Sequence, residues 1–297
     1  MKPALFLFVI AIAVLFATAS ASVAREFKRY PAFGLVLSVE GGRAFTVSCK
    51  DIPGFMDAMK MHLDAANAKQ LAGVRAGDMV DFTLVVDGEV RYADNIREHR
   101  FQSTEQRQVE AHYLTIVAGA FDEKPDAPEM LAIGQKVPDF TLIDQHGRRV
   151  KLSDMSGKVV ALSFMYTRCS YAQYCMRLTN NLGMVGRRFP VRLGKDLALV
   201  TISFDPQNDT PEALQKYSQT WKSSANGWYF LTGPTDDVKH TCLMFGMNFW
   251  PDMGMIVHVM HTAVLDRNGY LVANLDGNEF TAQQLGDLLE AVMDRKP

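Results

Sequence analysis

Two cysteines, Cys169 and Cys175, have five residues between them and lie between an apolar run and an amphipathic segment. The run Val159–Met165 is rich in Val, Leu and Phe and follows a turn at residues 157–158, which predicts a buried strand. Apolar positions then recur at steps of four, three and four residues, which predicts a helix: Leu178, Leu182, Val185 and Phe189. A helix N-terminus carries a partial positive charge that lowers the pKa of a nearby thiol. The pattern therefore predicts a pair of thiolates that either closes a disulfide or holds a soft metal ion.

Composition limits the classes of function that this chain can have. It has 297 residues, a formal net charge of −2, 48% hydrophobic residues and 22% charged residues. That length suits two domains, and the near-neutral charge gives no indication of nucleic-acid binding. Four cysteines are too few for a disulfide scaffold. The sixteen methionines carry thioethers, which are soft ligands, although most methionines simply fill cores.

The first residues have the pattern of an export signal. Lys2 is followed by the apolar residues 3–16, and Ala19-Ser20-Ala21 offers a small-residue cleavage site. We predict a signal peptide at residues 1–21, with an uncleaved anchor formed by residues 4–23 as the alternative. In either case we expect the rest of the chain to be exported or periplasmic, and membrane-attached only if the segment stays uncleaved.

A small β-barrel is predicted for residues 30–99. Short β-type runs alternate with Gly and Asp turns, at residues 34–39, 44–49, 59–63, 80–86 and 90–93. Strand periodicity puts Met59 and Met61 on one face, with Met56 just before that strand and Cys49 at the end of a neighbouring strand. One thiol and three thioethers could hold Cu(I) or Ag(I). The alternative from spacing alone is that these methionines belong to the core.

The same module resembles the CusF-type periplasmic copper-binding domain, over residues 52–61, 71–78 and 80–83. That resemblance implies a five-stranded OB-like barrel that binds Cu(I) or Ag(I) through a His, a Met-x-Met pair, and a Trp or Met three residues earlier. Met59 and Met61 match the pair, and Met56 matches the earlier position. Cys49 stands where the family usually has His. We do not count His62 as a ligand, because it lies on the opposite strand face from the pair.

A linker is predicted between the two modules, over residues 100–132. It begins with polar residues and contains a Pro-rich, charged stretch at residues 122–128. We expect an extended tether that keeps the modules close without fixing their orientation.

An α/β layered domain is predicted for residues 133–297, because strands and helices alternate before a closing hairpin. This order resembles the thioredoxin fold, and in particular the Sco/SenC family of copper-carrying assembly factors. The matching blocks are residues 137–142, 157–160, 164–169, 203–211, 228–233 and 258–262. Five residues separate the two cysteines here, whereas many members of the family have three.

In that family, two loop cysteines and one distal histidine bind copper, so the resemblance implies that Cys169, Cys175 and His258 are the ligands. Two thiolates and an imidazole make an open trigonal site that suits Cu(I) and tolerates Cu(II). The same two thiols can also close a disulfide. His261 is the alternative distal ligand, and we interpret Cys242 as a buried structural thiol.

Three functions remain open at this point. The first is an exported copper chaperone that delivers copper to a cuproprotein, which the resemblance implies is a respiratory oxidase subunit. The second is a thiol–disulfide reductase that prepares target cysteines and needs Cys169 and Cys175 but not His258. The third is a copper-resistance buffer, in which the barrel holds most of the metal.

Overall fold

The computed structural model describes residues 27–101, 130–169, 175–221, 227–252 and 255–295. The predicted export segment and almost all of the predicted linker lie outside these residues. Within the described ranges, no helix is long and apolar enough to cross a membrane.

Five strands close into a barrel in the N-terminal module, in the order β1-β2-β3-β5-β4. The turn after the first strand uses Gly41 and Gly42 at φ of 55° and 64°, a conformation that glycine adopts without steric cost. Phe45, Val47 and Cys49 point into the barrel with the other apolar residues of its core. The strands are β1 (Lys28–Glu40), β2 (Ala44–Cys49), β3 (Met59–Ala65), β4 (Met79–Asp87) and β5 (Val90–Glu98).

A seven-stranded sheet forms the C-terminal module, in the order β14-β13-β8-β9-β10-β6-β7. Its three central strands, β8, β9 and β10, run parallel, and every residue of β8 and β9 is buried. Burial along the whole strand follows from helices covering both faces of a parallel sheet. The strands are β6 (Thr141–Asp144), β7 (Arg149–Lys151), β8 (Val159–Met165), β9 (Leu197–Ser203), β10 (Trp228–Thr232), β13 (His261–Leu265) and β14 (Leu271–Asp276).

Among the residues that the structure describes, four α-helices accompany this sheet, and the predicted α/β order is confirmed. They are α1 (Arg177–Arg188), α2 (Pro211–Thr220), α3 (Thr235–Met244) and α4 (Ala282–Met293). Helix α4 begins with a capping box, in which the Thr281 hydroxyl accepts from the Gln284 N–H and the Gln284 side chain accepts from the Thr281 N–H. That cap fixes where α4 starts.

A separate two-stranded hairpin was not predicted from the sequence. It consists of β11 (Phe249–Asp252) and β12 (Met255–His258), with Phe249 directly opposite His258. Pro251 lies inside β11, and proline argues against a strand in sequence reasoning because it cannot donate to the ladder. The hairpin matters because it carries His258.

The two modules pack against each other, which differs from the predicted free orientation. Strand β1 is buried on both of its faces: Val36 belongs to the barrel core, whereas Leu35 and Leu37 belong to the core of the C-terminal module. Gly77, at φ of 96°, approaches β14 so closely that a Cβ there would overlap the Cβ of Ala273. The continuous apolar run in β1 was the sequence signal for this second buried face.

Candidate metal centre

The two cysteines of the C-terminal module lie at the ends of β8 and α1. Cys169 follows a turn in which its N–H donates to the Tyr166 carbonyl over 3.2 Å, and Cys175 comes just before α1. Residues 170–174 are outside the described ranges. Both cysteines are free thiols, and their side chains form a hydrogen bond with each other. The structure therefore brings the two predicted thiol ligands together.

The Cys175 thiol does not have the lowered pKa that its place at a helix N-terminus predicted. Its hydrogen bond with Cys169, its burial and the nearby charge of Cys169 raise its pKa well above the usual value. Cys175 is only 1% exposed, so desolvation of the thiolate and competition with a second thiol outweigh the partial charge of the helix. Burial and the charges of the two cysteines likewise raise the pKa of Tyr166 to about 12.

His258 lies at the end of β12 with its imidazole against Cys175. The His258 Nε2 atom is 3.8 Å from the Cys175 Sγ atom. Its Nδ1 atom is 2.8 Å from the Val259 carbonyl oxygen, which can only accept, so Nδ1 carries the proton. The lone pair on Nε2 therefore faces the thiol, in the orientation that a metal ligand needs.

The spacing of these two atoms suits a bound ion. With bond lengths of about 2.3 Å to sulfur and about 2.0 Å to nitrogen, as thiolate and imidazole adopt on Zn²⁺, a trigonal ion separates the two atoms by about 3.7 Å. The observed 3.8 Å matches that value. Among the described residues, no three His, Cys, Asp or Glu side chains are already arranged as a metal cluster.

Two aromatic rings surround His258, a feature that sequence reasoning missed. The Phe204 and Tyr166 ring centroids are 4.9 and 6.0 Å from that of the imidazole. Phe204 follows β9 and Tyr166 follows β8, so both come from the carboxyl ends of parallel strands. Their packing restricts the orientation of the imidazole.

His261, the alternative distal ligand, is held elsewhere. Burial lowers its pKa, and its ring donates a hydrogen bond to the Gly246 carbonyl. The buried Nδ1 atom of His261 has no hydrogen-bond partner among the described residues, so Nε2 makes the bond to Gly246. The structure thus places His258, and not His261, against the cysteine.

Two aspartates hold the loop that leads to Cys169. Asp209 accepts hydrogen bonds from the Thr167 N–H at 2.9 Å and from the Thr167 hydroxyl. Asp205 accepts from the Arg168 guanidinium at 2.7 Å. Both aspartates thus fix the two residues that directly precede the first thiol.

The candidate soft ligands of the barrel share one end of β2 and β3. Cys49 is directly opposite Met59, and Met61 is opposite Val47. Cys49 and Met61 are buried, Met59 is 43% exposed, and Met56 packs against the barrel core. Burial raises the pKa of Cys49 to about 12, so this thiol is neutral near pH 7.

The remaining cysteine has the structural role that its sequence position predicted. Cys242 lies in α3, is completely buried, and belongs to the core of the C-terminal module. Burial raises its pKa, which makes the thiol inert.

Comparison with known proteins identifies relatives of the C-terminal module. The sequence model of the SCO1/SenC family matches residues 129–294. The chain is 29% identical to the SCO1 protein homolog of Bacillus subtilis over 101 residues, which are 34% of this chain and 51% of that protein. It is 25% identical to a putative copper-binding protein of Stutzerimonas stutzeri over 115 residues, 39% of this chain and 54% of that protein. It is also 24% identical to the thiol-disulfide oxidoreductase ResA of Bacillus cereus over 179 residues, 60% of this chain and 87% of that protein.

The chain spans about half the length of the first two of these relatives.

Proposed function

The chain belongs to the SCO1/SenC family, and on that premise we propose that it is an exported copper chaperone. It holds copper through Cys169, Cys175 and His258 and delivers the ion to a copper-accepting protein such as a respiratory oxidase subunit. The observation that carries this proposal is the distance of 3.8 Å between His258 Nε2 and Cys175 Sγ. The other ring nitrogen, Nδ1, is hydrogen-bonded to the Val259 carbonyl and is not available to a metal. The Sco/SenC resemblance found in the sequence and the copper-binding relative support the same cargo.

The chemistry of the three ligands suits delivery rather than permanent storage. Two thiolates prefer Cu(I), and the imidazole allows Cu(II) as well. A three-ligand site keeps one side open, so an acceptor's ligand can approach before the chaperone's ligands leave. Because the Cys175 thiol has a raised pKa, it loses its proton only when the metal takes its place.

The barrel, residues 30–99, supplies a second soft site in this proposal. Cys49, Met56, Met59 and Met61 are its ligands, and its strand order and closure suit the OB-like barrel implied by the CusF-type resemblance. Residues 1–21 direct export, residues 100–132 link the modules, and residues 133–297 form the thioredoxin-like module.

The copper content of the reduced full-length chain tests this proposal. We expect two Cu(I) ions per chain after removal of weakly bound metal by a chelator. The variant with Cys169→Ser and Cys175→Ser should retain one ion, and so should the variant with Met59→Leu and Met61→Leu. Two ions in the first variant would mean that the C-terminal site is wrong, and two in the second would mean that the barrel site is wrong.

A thiol–disulfide reductase is the second candidate, and two observations favour it. The chain is similar to a thiol-disulfide oxidoreductase over 60% of its length, and the thiols of Cys169 and Cys175 are hydrogen-bonded to each other. The His258→Ala variant separates the two functions. A reductase keeps its rate of disulfide reduction in this variant, whereas a copper chaperone loses copper transfer to an acceptor.

A further inference from the structure

The residue before Cys49 ties the barrel to α4. The Ser48 hydroxyl donates to Asp287 Oδ2 over 2.6 Å, and the Ser48 carbonyl accepts from Gln284 Nε2 over 2.9 Å. Asp287 is only 3% exposed and also accepts from the Arg188 guanidinium at 2.7 Å. Since Arg188 belongs to α1, this buried group connects β2 of the barrel with α1 and α4 of the C-terminal module.

The residues on either side of Met59 are held by the same helix. The Ala58 carbonyl accepts from Gln283 Nε2 over 3.1 Å, and Lys60 Nζ pairs with Glu290 Oε2 at 2.7 Å. Met59 is the directly paired partner of Cys49 across β2 and β3. Ser48, Ala58 and Lys60, which are sequence neighbours of Cys49 or Met59, are thus all fixed to α4.

The start of α4 lies near the start of α1. Asn181 of α1 donates to the Phe280 carbonyl over 3.2 Å, and Arg192, just after α1, reaches Asp294 at 2.9 Å, so the two helices run in the same direction. Asn181 is six residues after Cys175, which corresponds to about 9 Å along the helix axis. The first turn of α4, which holds the residues next to Cys49 and Met59, therefore lies beside the first half of α1, the helix that begins just after Cys175.

A further contact fixes the barrel to the residues just before α4. His99 Nδ1 is 2.7 Å from Asp81 Oδ2 of the barrel, and His99 Nε2 is 2.6 Å from Glu279 Oε2. Glu279 directly precedes Phe280, whose carbonyl accepts from Asn181 of α1. The barrel is thus also held at the start of α4.

We propose that the barrel is the copper donor of its own chain: Cu(I) passes from the Cys49–Met59 end of the barrel to Cys169, Cys175 and His258 of the same molecule. This inference rests on the proposed function. The step is an exchange of ligands with no change of oxidation state. The incoming Cys169 and Cys175 thiols release their protons to solvent, and the departing Cys49 thiolate takes one up. Met59 is the most exposed ligand of the barrel set, so it is the one that an incoming ligand can replace first.

The test measures exchange of Ag(I), a redox-inert substitute for Cu(I), in the reduced full-length chain. Methionine methyl groups are labelled with ¹³C, and half an equivalent of Ag(I) per site is added. Exchange spectroscopy then gives the rate at which the Met59 and Met61 methyl signals interconvert between free and bound forms. We expect a rate that does not depend on protein concentration, because a docked donor has a fixed effective concentration at its acceptor.

An interface variant and a matched control complete the test. Lys60→Glu with Gln283→Ala removes two of the contacts to α4 and sets a like charge against Glu290. We expect this variant to lose at least about tenfold in the concentration-independent rate, because docking supplies the effective concentration. Lys69→Glu with Gln219→Ala makes the same changes at exposed positions away from α4, and it should exchange like the parent chain.

The outcomes separate this inference from the proposed function. Two bound Ag(I) ions per chain with a rate proportional to protein concentration overturn the intramolecular transfer alone. An interface variant that exchanges as fast as the control also overturns it. Saturation at one ion per chain overturns both the transfer and the proposed two-site function.

Discussion

His258 Nε2 lies 3.8 Å from Cys175 Sγ, although the two residues are 83 positions apart in the sequence. The β11–β12 hairpin brings them together, and the bond from Nδ1 to the Val259 carbonyl turns the free nitrogen toward the thiol. A histidine held in this way can accept a metal without reorganising its ring.

Replacing this histidine should weaken copper binding at the C-terminal site. Removing a residue that hydrogen-bonds to a metal ligand typically lowers metal affinity 10–100-fold. His258 is itself a ligand in our proposal, so we expect His258→Ala to lower the affinity for Cu(I) at least about tenfold. The measurement is competition with a Cu(I) chelator in a Met59→Leu, Met61→Leu background, which removes the barrel site. His261→Gln is the matched control, because glutamine can still donate to the Gly246 carbonyl. Equal losses in both variants would contradict the assignment of His258.

Oxidation should empty one site and spare the other. A disulfide between Cys169 and Cys175 removes both thiolates of the C-terminal site, whereas Cys49 is buried in the barrel and Cys242 in the other core. We expect treatment with a dithiol oxidant to reduce the bound copper from two ions per chain to one. The Cys175→Ser variant should already bind one ion and should not lose it on oxidation. Loss of both ions from the parent chain would show that the barrel thiol is not protected.

Copper binding to the barrel should strengthen with pH. Burial raises the pKa of Cys49 to about 12, so each bound Cu(I) displaces one proton at any lower pH. In a Cys169→Ser, Cys175→Ser background, we expect the affinity to rise about tenfold per pH unit between pH 6 and 9. In the Cys49→His variant the rise should level off above about pH 7, because imidazole is then already neutral. A pH-independent affinity in the background chain would show that Cys49 is not a ligand.

Removal of Asp287 should destabilise the contact between the modules. Its carboxylate is buried and accepts from both Ser48 and Arg188, so Asp287→Ala leaves two donors without this acceptor. We expect the free energy of unfolding in urea to fall by about 3 kcal/mol, the lower end of the range for a broken buried pair, because Arg188 also reaches Glu290. Asp236→Ala, at an exposed position of α3, should change it by less than about 0.5 kcal/mol. A similar effect of both substitutions would argue against a structural role for the buried group.

The bridge formed by His99 should make stability depend on pH. His99 Nδ1 is 2.7 Å from Asp81 of the barrel, and Nε2 is 2.6 Å from Glu279 of the other module. Burial alone would lower the pKa of His99, but the hydrogen bonds and charges of the two carboxylates raise it. The folded pKa is above the unfolded one, so this contribution is complete below about pH 6.5 and is lost as pH rises through the folded pKa.

The measurement is the difference in free energy of unfolding between the parent chain and His99→Gln from pH 6 to 9. We expect that difference to shrink as pH rises. His240→Gln, an exposed histidine of α3, is the control and should leave the parent's pH dependence intact. A difference that grows with pH would contradict the sign of this argument.

Local sequence patterns predicted most of the fold. Three predictions came from local periodicity or turn residues. They are the strand at Val159–Met165, the helix after Cys175 and the hairpin at Gly41–Gly42. The structure has a strand, a helix and a hairpin at these places. These features depend on neighbours in sequence, so a single sequence reveals them.

Features that arise between distant segments were missed. The hairpin that carries His258 was not predicted because Pro251 lies in its first strand. The hydrogen bond from Thr167 to Asp209 joins residues far apart in the sequence, so no local pattern indicates it. The pKa of Cys175 was predicted in the wrong direction, because burial and a second thiol act only in the folded molecule. The packing of the two modules against each other was also missed, because it depends on contacts between distant residues. The unbroken apolar stretch at Leu35–Leu37 was the one sequence feature that indicated a second buried face.

Because β1 is buried on both faces, the barrel covers apolar surface of the C-terminal module and thereby keeps that module soluble. Leu35, Leu37 and Met79 belong to the core of the C-terminal module, and Gly77 lies against β14, which is an edge strand of the sheet. A C-terminal module produced alone would expose this apolar surface beside an edge strand, the combination that favours self-association. The length of chain chosen for expression therefore decides whether a monomer or an aggregate is purified.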